Sequence, residues 1–463
     1  MAALVVFAGP QLAFPGPAQC GPSSSPVAFC ATLPPLRSPD VVPVRLVDQA
    51  RPCEDTTSAL GSFCLSLPSA TGTSDVATLL VRRQDACAQL AASDAPGFCL
   101  APPAGSSSAR ALQREVALVL LRQRLGTDFR RAGSGTVDLW TETTTTPAIA
   151  DSVYATLVED AAAVRAFFGR DLGDPPAVLL FTSRQSFALA LERQFGFSVD
   201  SAEILARQTG GVTLAGIDAV AINGESVLAA GRSTIFRHEL AHVAIHRLAG
   251  NAVPAWLDEG LATLVEERDP LGFDRATALS ILANDPGALT IFGDDRPWLQ
   301  VNADLGGHAY GVAAEAVRVI DARLGRTGLV ALLDRIGAGT PAQAAVEDAL
   351  GEPLARFAVT LPGRALGACR QGIFASAARP DGLRIWYAYG FRPQSSVAVA
   401  LDGPQHYAFR VVTDRYGVYT ATVGTPMPAG AYVLKVASDN GESAQLTLTL
   451  GDPSAGALQG CRP

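Results

Sequence analysis

The chain has 463 residues, 48% hydrophobic and 17% charged, with a formal net charge of -8; it is long enough for several domains with separate cores. The negative balance argues against nucleic acid as the main partner, because the phosphate backbone is held by clustered Lys and Arg. No internal run of about 18 uninterrupted apolar residues occurs, so no transmembrane helix is expected.

The opening MAALVVFAGPQLAF is apolar and resembles the hydrophobic part of a secretory signal, without a basic stretch before it. Residues 1–18 are therefore read as a candidate signal segment. The cysteines are even in number: Cys20, Cys30, Cys53, Cys64, Cys87, Cys99, Cys369 and Cys461. That pattern reads as a disulfide framework in an oxidising compartment, so an extracellular or cell-envelope location is expected. A zinc ribbon would need close C-x-x-C pairs, and the sequence has none.

Residues 10–100 contain a threefold repeat. AFCATLPP, SFCLSLPS and GFCLAPPA place Cys30, Cys64 and Cys99 at separations of 34 and 35 residues. Cys20, Cys53 and Cys87 precede them with nine to eleven residues between. Each unit reads as a strand, a loop closed by one disulfide, and a Phe-Cys strand ending near proline. Units this short cannot bury a core alone, so the repeat is read as a structural or spacer module. APPAGSSSAR at 101–110 is a linker by composition.

Beyond it the periodicity predicts a helix in ALQREVALVLLRQRL and a Thr- and Val-rich strand in TVDLWTETTTT. A helix follows in AIADSVYATLVEDAAAVRAFFG, then a short buried strand in PAVLLFTS and a helix in RQSFALALERQFG. GGVTLAGIDAVAING reads as one or two strands. Such alternation predicts a mixed α/β or α+β domain.

Three of the five histidines fall in IFRHELAHVAIHRLAG, at His238, His242 and His246. HELAH is an H-E-x-x-H motif. On a helix His238 and His242 lie one turn apart on one face, so both imidazoles can reach one zinc ion at about 2.0–2.1 Å. Glu239, one position on, can reach a water there as general base. His246 lies about 12 Å along the helix axis from His238, too far for all three histidines to share one ion, and is read as a packing or supporting residue. The third ligand is expected from the next segment. WLDEGLATLVEE predicts a second helix with Asp258 and Glu259 in its first turn. A short turn and an antiparallel return would bring a carboxylate beside the two histidines, leaving a catalytic zinc an open position.

The run FRHELAHVAIHRLAGNAVPAWLDEGLATLVEE resembles the gluzincin metallopeptidases, most of all the peptidase MA-like family, whose motif is HELxH followed by W-L-x-E-G-L-A. The resemblance is specific over about thirty residues and is taken to cover roughly 130 to 360. It implies His238, His242 and Glu259 as ligands of one Zn2+, Glu239 as general base, and a peptide or protein substrate laid along an edge strand, for which GGVTLAGIDAVAING is the candidate. It also implies a tyrosine at the start of a later helix as stabiliser of the oxyanion; Tyr310 in GGHAYGVAAEAVRVI matches, with His308 as runner-up. Asp258 falls at the variable position of the motif and reads as helix-start charge, with support of a ligand as the lesser alternative. Thr263 stands where the thermolysin-like branch has an orienting aspartate, and Glu266 is the candidate substitute.

From 311 to 360 the pattern is helical. Residues 365–463 change to at least six alternating strands between Gly, Asp and Pro turns, which predicts a β-sandwich; its TDRYGVYTATV and MPAGAYVLKV resemble bacterial immunoglobulin-like domains. Cys369 and Cys461 bracket it and are expected to pair. Trp386, Tyr387 and Tyr389 are candidates for a ligand platform on a surface polymer, with core packing the favoured alternative. The expected architecture is α+β and multidomain: the repeat region, a gluzincin-like domain over 111–362 with mixed sheet, active-site helix and helical subdomain, and the sandwich. The expected activity is that of a secreted zinc endopeptidase. The alternatives are a non-catalytic envelope protein retaining that fold, and a zinc hydrolase of a non-peptide amide.

Overall fold

The structure, a computed structural model, describes four strand segments in the first hundred residues and then residues 128–461, except 171–172, 174, 194–196, 215–217, 230–233, 267–271, 294–297, 378–383, 424–426, 453 and 455. The candidate signal segment, the linker, the helix expected over 111–125 and the cysteines Cys20, Cys53 and Cys87 lie outside the described residues. The architecture is mixed α and β with several sheets. Two compact units are distinguished, Met1–Ala162 with Gly173–Val243, and Ala163–Leu172 with Ala244–Pro463.

In the first unit β1 (Cys30–Ala31), β2 (Val44–Asp48), β3 (Phe63–Ser66) and β4 (Gly97–Leu100) form an antiparallel sheet in chain order. Cys30, Cys64 and Cys99, the second cysteine of each repeat, all fall on its strands, with Cys64 opposite Cys99.

A five-stranded sheet follows, built from β5 (Phe129–Gly133), β6 (Asp138–Glu142), β7 (Ala177–Phe181), β8 (Gly211–Leu214) and β9 (Ala219–Asn223) in the order β5-β6-β7-β9-β8. β6, β7 and β9 run parallel, while β5 and β8 are antiparallel to their neighbours. The central strands read AVLLF and AVAIN and are buried throughout, as continuous apolar runs in a sheet covered on both faces should be. α1 (Pro147–Phe168) joins β6 to β7, α2 (Arg184–Arg193) and α3 (Val199–Gln208) join β7 to β8, and α4 (Gly224–Ala229) and α5 (Ile235–Ala249) follow β9. The side chain of Ser198 caps α3 by accepting from the N–H of Ser201.

The second unit holds α6 (Ala255–Glu266), α7 (Phe273–Asn284), α8 (Trp298–Asp304), α9 (Ala309–Gly337, interrupted at Gly325), α10 (Ala342–Leu350) and α11 (Leu354–Leu366). Eight strands follow: β10 (Gly372–Ala375), β11 (Arg384–Tyr389), β12 (Ser396–Asp402), β13 (Tyr407–Val412), β14 (Tyr419–Val423), β15 (Gly430–Ser438), β16 (Ser443–Leu450) and β17 (Leu458–Cys461). They form two antiparallel sheets, β14-β11-β10-β17 and β13-β12-β15-β16. Alternation sorts the side chains: Val397, Val399 and Leu401 of β12 point inward against Leu434, Val436 and Leu446. Each such buried aliphatic contributes about 1.5–3 kcal/mol relative to exposure. Trp386 and Tyr389 are also buried, so core packing, not a ligand platform, is where these rings go. Ala276, Leu279 and Leu366 of the helices pack with Phe374, Tyr389 and Val418 in the same unit.

Cys369 and Cys461 form the expected disulfide, with Cα atoms 4.9 Å apart and a sequence separation of 92. A disulfide is typically worth about 2–4 kcal/mol, and long loops lie toward the upper end. The Cys369→Ser/Cys461→Ser protein is therefore expected to unfold at a clearly lower urea concentration. An unchanged midpoint would mean that β10–β17 pairing alone holds the two ends. Among the described residues no helix is long and apolar enough to cross a membrane.

Candidate metal centre

Helix α5 is enclosed almost all round: Ile235, Phe236, Leu240, Ala241, Val243, Ala244 and Ile245 are at most 4% exposed. Polar side chains in such a helix must be satisfied within the protein, because burying them otherwise is costly. Arg237 reaches α1, where its Nε donates to Asp160 Oδ1 at 3.0 Å. His238, Glu239 and His242 are 1%, 0% and 0% exposed. The two imidazoles stand one turn apart with centroids 4.7 Å apart.

A single 3-10 turn, Gly250–Ala252, separates α5 from α6. The Pro254 carbonyl accepts from the N–H groups of Leu257 and Asp258 and starts α6. Two anchors then fix the helix. Trp256 is buried with its ring edge-on to Phe292, centroids 4.9 Å apart. Gly260 faces α9, where a Cβ would lie 2.5 Å from the Ala313 carbonyl oxygen, so only glycine lets the two backbones approach this closely. Glu259, between these anchors, is fully buried.

The ligand atoms of His238, His242 and Glu259 all lie within 4.8 Å of one another. A tetrahedral zinc with bonds of about 2.0–2.1 Å holds its donors about 3.3 Å apart, and these three side chains are of the types that could hold such an ion. Two imidazoles and one carboxylate are the donors of a catalytic rather than a structural zinc, because three protein ligands leave a fourth position open. The residues therefore fit the metal that the sequence implies.

His246 and Asp258 are also drawn together. His246 Nδ1 lies 3.0 Å from the Gly250 carbonyl oxygen, which can only accept, so that nitrogen carries a proton. Its Nε2 then faces Asp258 Oδ2 at 3.2 Å, both side chains being at most 1% exposed. This contact joins the last turn of α5 to the first turn of α6. His242, His246 and Asp258 also meet the spacing of a metal set, with His246 and Asp258 facing each other. Asp258 is thus more than a helix-start charge. Thr263 and Glu266 are half-buried on α6.

Tyr310 stands in the first turn of α9, buried, with its ring perpendicular to Trp298 at 5.6 Å between centroids. His308 precedes that helix with its ring edge-on to Tyr416 at 4.5 Å. Burial pushes its imidazole below the ordinary value, with Asp274 pulling the other way.

The contact that the sequence did not single out comes from β8. Thr213 Oγ1 donates to Glu239 Oε2 at 2.6 Å. β8 is the last strand of its sheet, as expected for the substrate strand, yet its four residues are buried. No protein-family model matches the chain, and no curated protein matches it.

Proposed function

We propose that the chain is a zinc-dependent metallohydrolase of the gluzincin type, acting on peptide bonds. The observation that carries this reading is the convergence of His238, His242 and Glu259 in a buried cluster, with the carboxylate of Glu239 next in sequence to one ligand. A zinc held by these three side chains supplies Lewis acidity toward a carbonyl oxygen and a water. Glu239 accepts the proton of the attacking water and delivers it to the leaving amine. The low-dielectric surroundings strengthen each of these charges. Tyr310 is proposed to donate to the oxyanion from the start of α9. The disulfide between Cys369 and Cys461 supports an extracellular or envelope location, because such crosslinks persist in oxidising compartments.

Burial of all three ligands at 0–1% exposure favours a second reading, a zinc hydrolase of a smaller non-peptide amide, because a polypeptide needs an open cleft. Incubating the protein with a tryptic digest of whole-cell protein, with and without a chelator, separates the two. New peptide termini that vanish with chelator are expected. Their absence, with chelator-sensitive release of amine from a set of small N-acyl amides, would replace the first reading by the second.

A further inference from the structure

We propose that the strand β8 positions the general base, with Thr213 holding the Glu239 carboxylate and Gly211 leaving it room; this rests on the metallohydrolase reading above. The Thr213 hydroxyl has one proton, and two oxygens of Glu239 compete for it: carboxylate Oε2 at 2.6 Å and the backbone carbonyl at 3.1 Å. The shorter contact has the length of a charge-assisted O–H···O⁻ bond. Both partners are buried, Thr213 at 2% and Glu239 at 0% exposure, so the bond is not in competition with bulk water.

Gly211 lies two residues earlier, on the same face of the strand. A Cβ there would stand 2.9 Å from Glu239 Cγ and 3.0 Å from Oε1. The two carboxylate oxygens are thus apportioned along β8, with Oε2 on the hydroxyl of Thr213 and Oε1 over the bare Cα of Gly211. A Glu side chain on a helix has three rotatable bonds, and a general base must sit within about 2.6–3.2 Å of the proton it takes. Fixing one oxygen fixes the arc on which the other moves. Placement of this kind matters, since a displacement of about 1 Å can lower the rate about a hundredfold. It also gives the buried, antiparallel β8 a role that does not need an exposed edge.

The test uses the full-length, zinc-loaded chain and a mixture of quenched fluorescent random-sequence peptides. Thr213→Val is expected to lower kcat about 10–100-fold, with KM and zinc content unchanged, and Thr213→Ser to restore most of it. Gly211→Ala is expected to lower kcat with the Thr213 hydroxyl still present. In crystal structures of the zinc-free variants, the Glu239 carboxylate should turn away from its wild-type orientation in Thr213→Val and keep it in Thr213→Ser. A wild-type kcat in Thr213→Val, Ser as impaired as Val, or an unmoved carboxylate in Val would each overturn the proposal. If the Val variant does not fold, the comparison passes to Ser against Ala, and equal activities or equal carboxylate positions overturn it. Glu239→Gln run beside them separates the two levels. Full activity in that variant sinks the hydrolase reading itself, whereas an inactive Glu239→Gln with a fully active Thr213→Val sinks only the role of β8.

Discussion

Glu239→Gln is expected to lower kcat for amide hydrolysis by about a thousandfold, or about 4 kcal/mol in activation free energy, with zinc content unchanged. The carboxamide has the size of the carboxylate, so the buried space on α5 stays filled. Its carbonyl oxygen can still accept from Thr213, so the contact at 2.6 Å need not be lost. What disappears is the ability to take a proton. Since Glu239 is not among the three proposed ligands, zinc affinity and KM should move little. Loss of zinc in this variant, or retention of activity, would show that Glu239 has some other task.

Glu259→Gln is expected to act the other way, on the metal rather than on the proton. Removing a partner that merely orients a ligand typically lowers metal affinity 10–100-fold, so replacing a direct ligand should lower it about a hundredfold or more. Glu259 is fully buried, and its ligand atoms lie within 4.8 Å of those of His238 and His242. Gln keeps the volume and the packing of α6 on α9 at Gly260. The thermal midpoint of the wild-type chain should rise with added zinc, because a ligand that binds only the folded state stabilises it by about 2.7 kcal/mol at a hundredfold excess over Kd. That rise should be lost in Glu259→Gln at the same zinc concentration. An identical rise in both proteins would remove Glu259 from the ligand set.

Much of this was legible in the sequence because the periodicity is strong. α1, α2, α5, α6 and α9 follow the apolar spacing, and the six expected strands of the C-terminal region are β11 to β16. The two that were missed, β10 and β17, are four residues each, too short to display alternation, and are fixed by pairing with each other and with β11. FRRAG of β5 carries no strand expectation, because its pattern lacks an apolar face, and it sits at the edge of its sheet.

The site was legible where residues are close in sequence and dark where they are not. His238, Glu239 and His242 announce themselves within five residues, and the W-L-x-E-G spacing points to Glu259. Asp258 looks like any acid in a first turn until the fold sets it 3.2 Å from His246. Thr213 is 26 residues from Glu239, and nothing local marks a strand threonine as the partner of a helix carboxylate. The glycines follow the same logic. Gly260 belongs to a recognisable motif, but the reason it must be glycine, the Ala313 carbonyl of a distant helix, is tertiary.

The central claim is that His238, His242 and Glu259 hold one zinc ion. Elemental analysis of the purified, dialysed chain beside its Glu259→Gln variant tests this most directly. The expected result is about one zinc per wild-type chain and well under a tenth as much in the variant. Equal zinc in the two proteins, or none in the wild type after reconstitution with excess zinc, would contradict it.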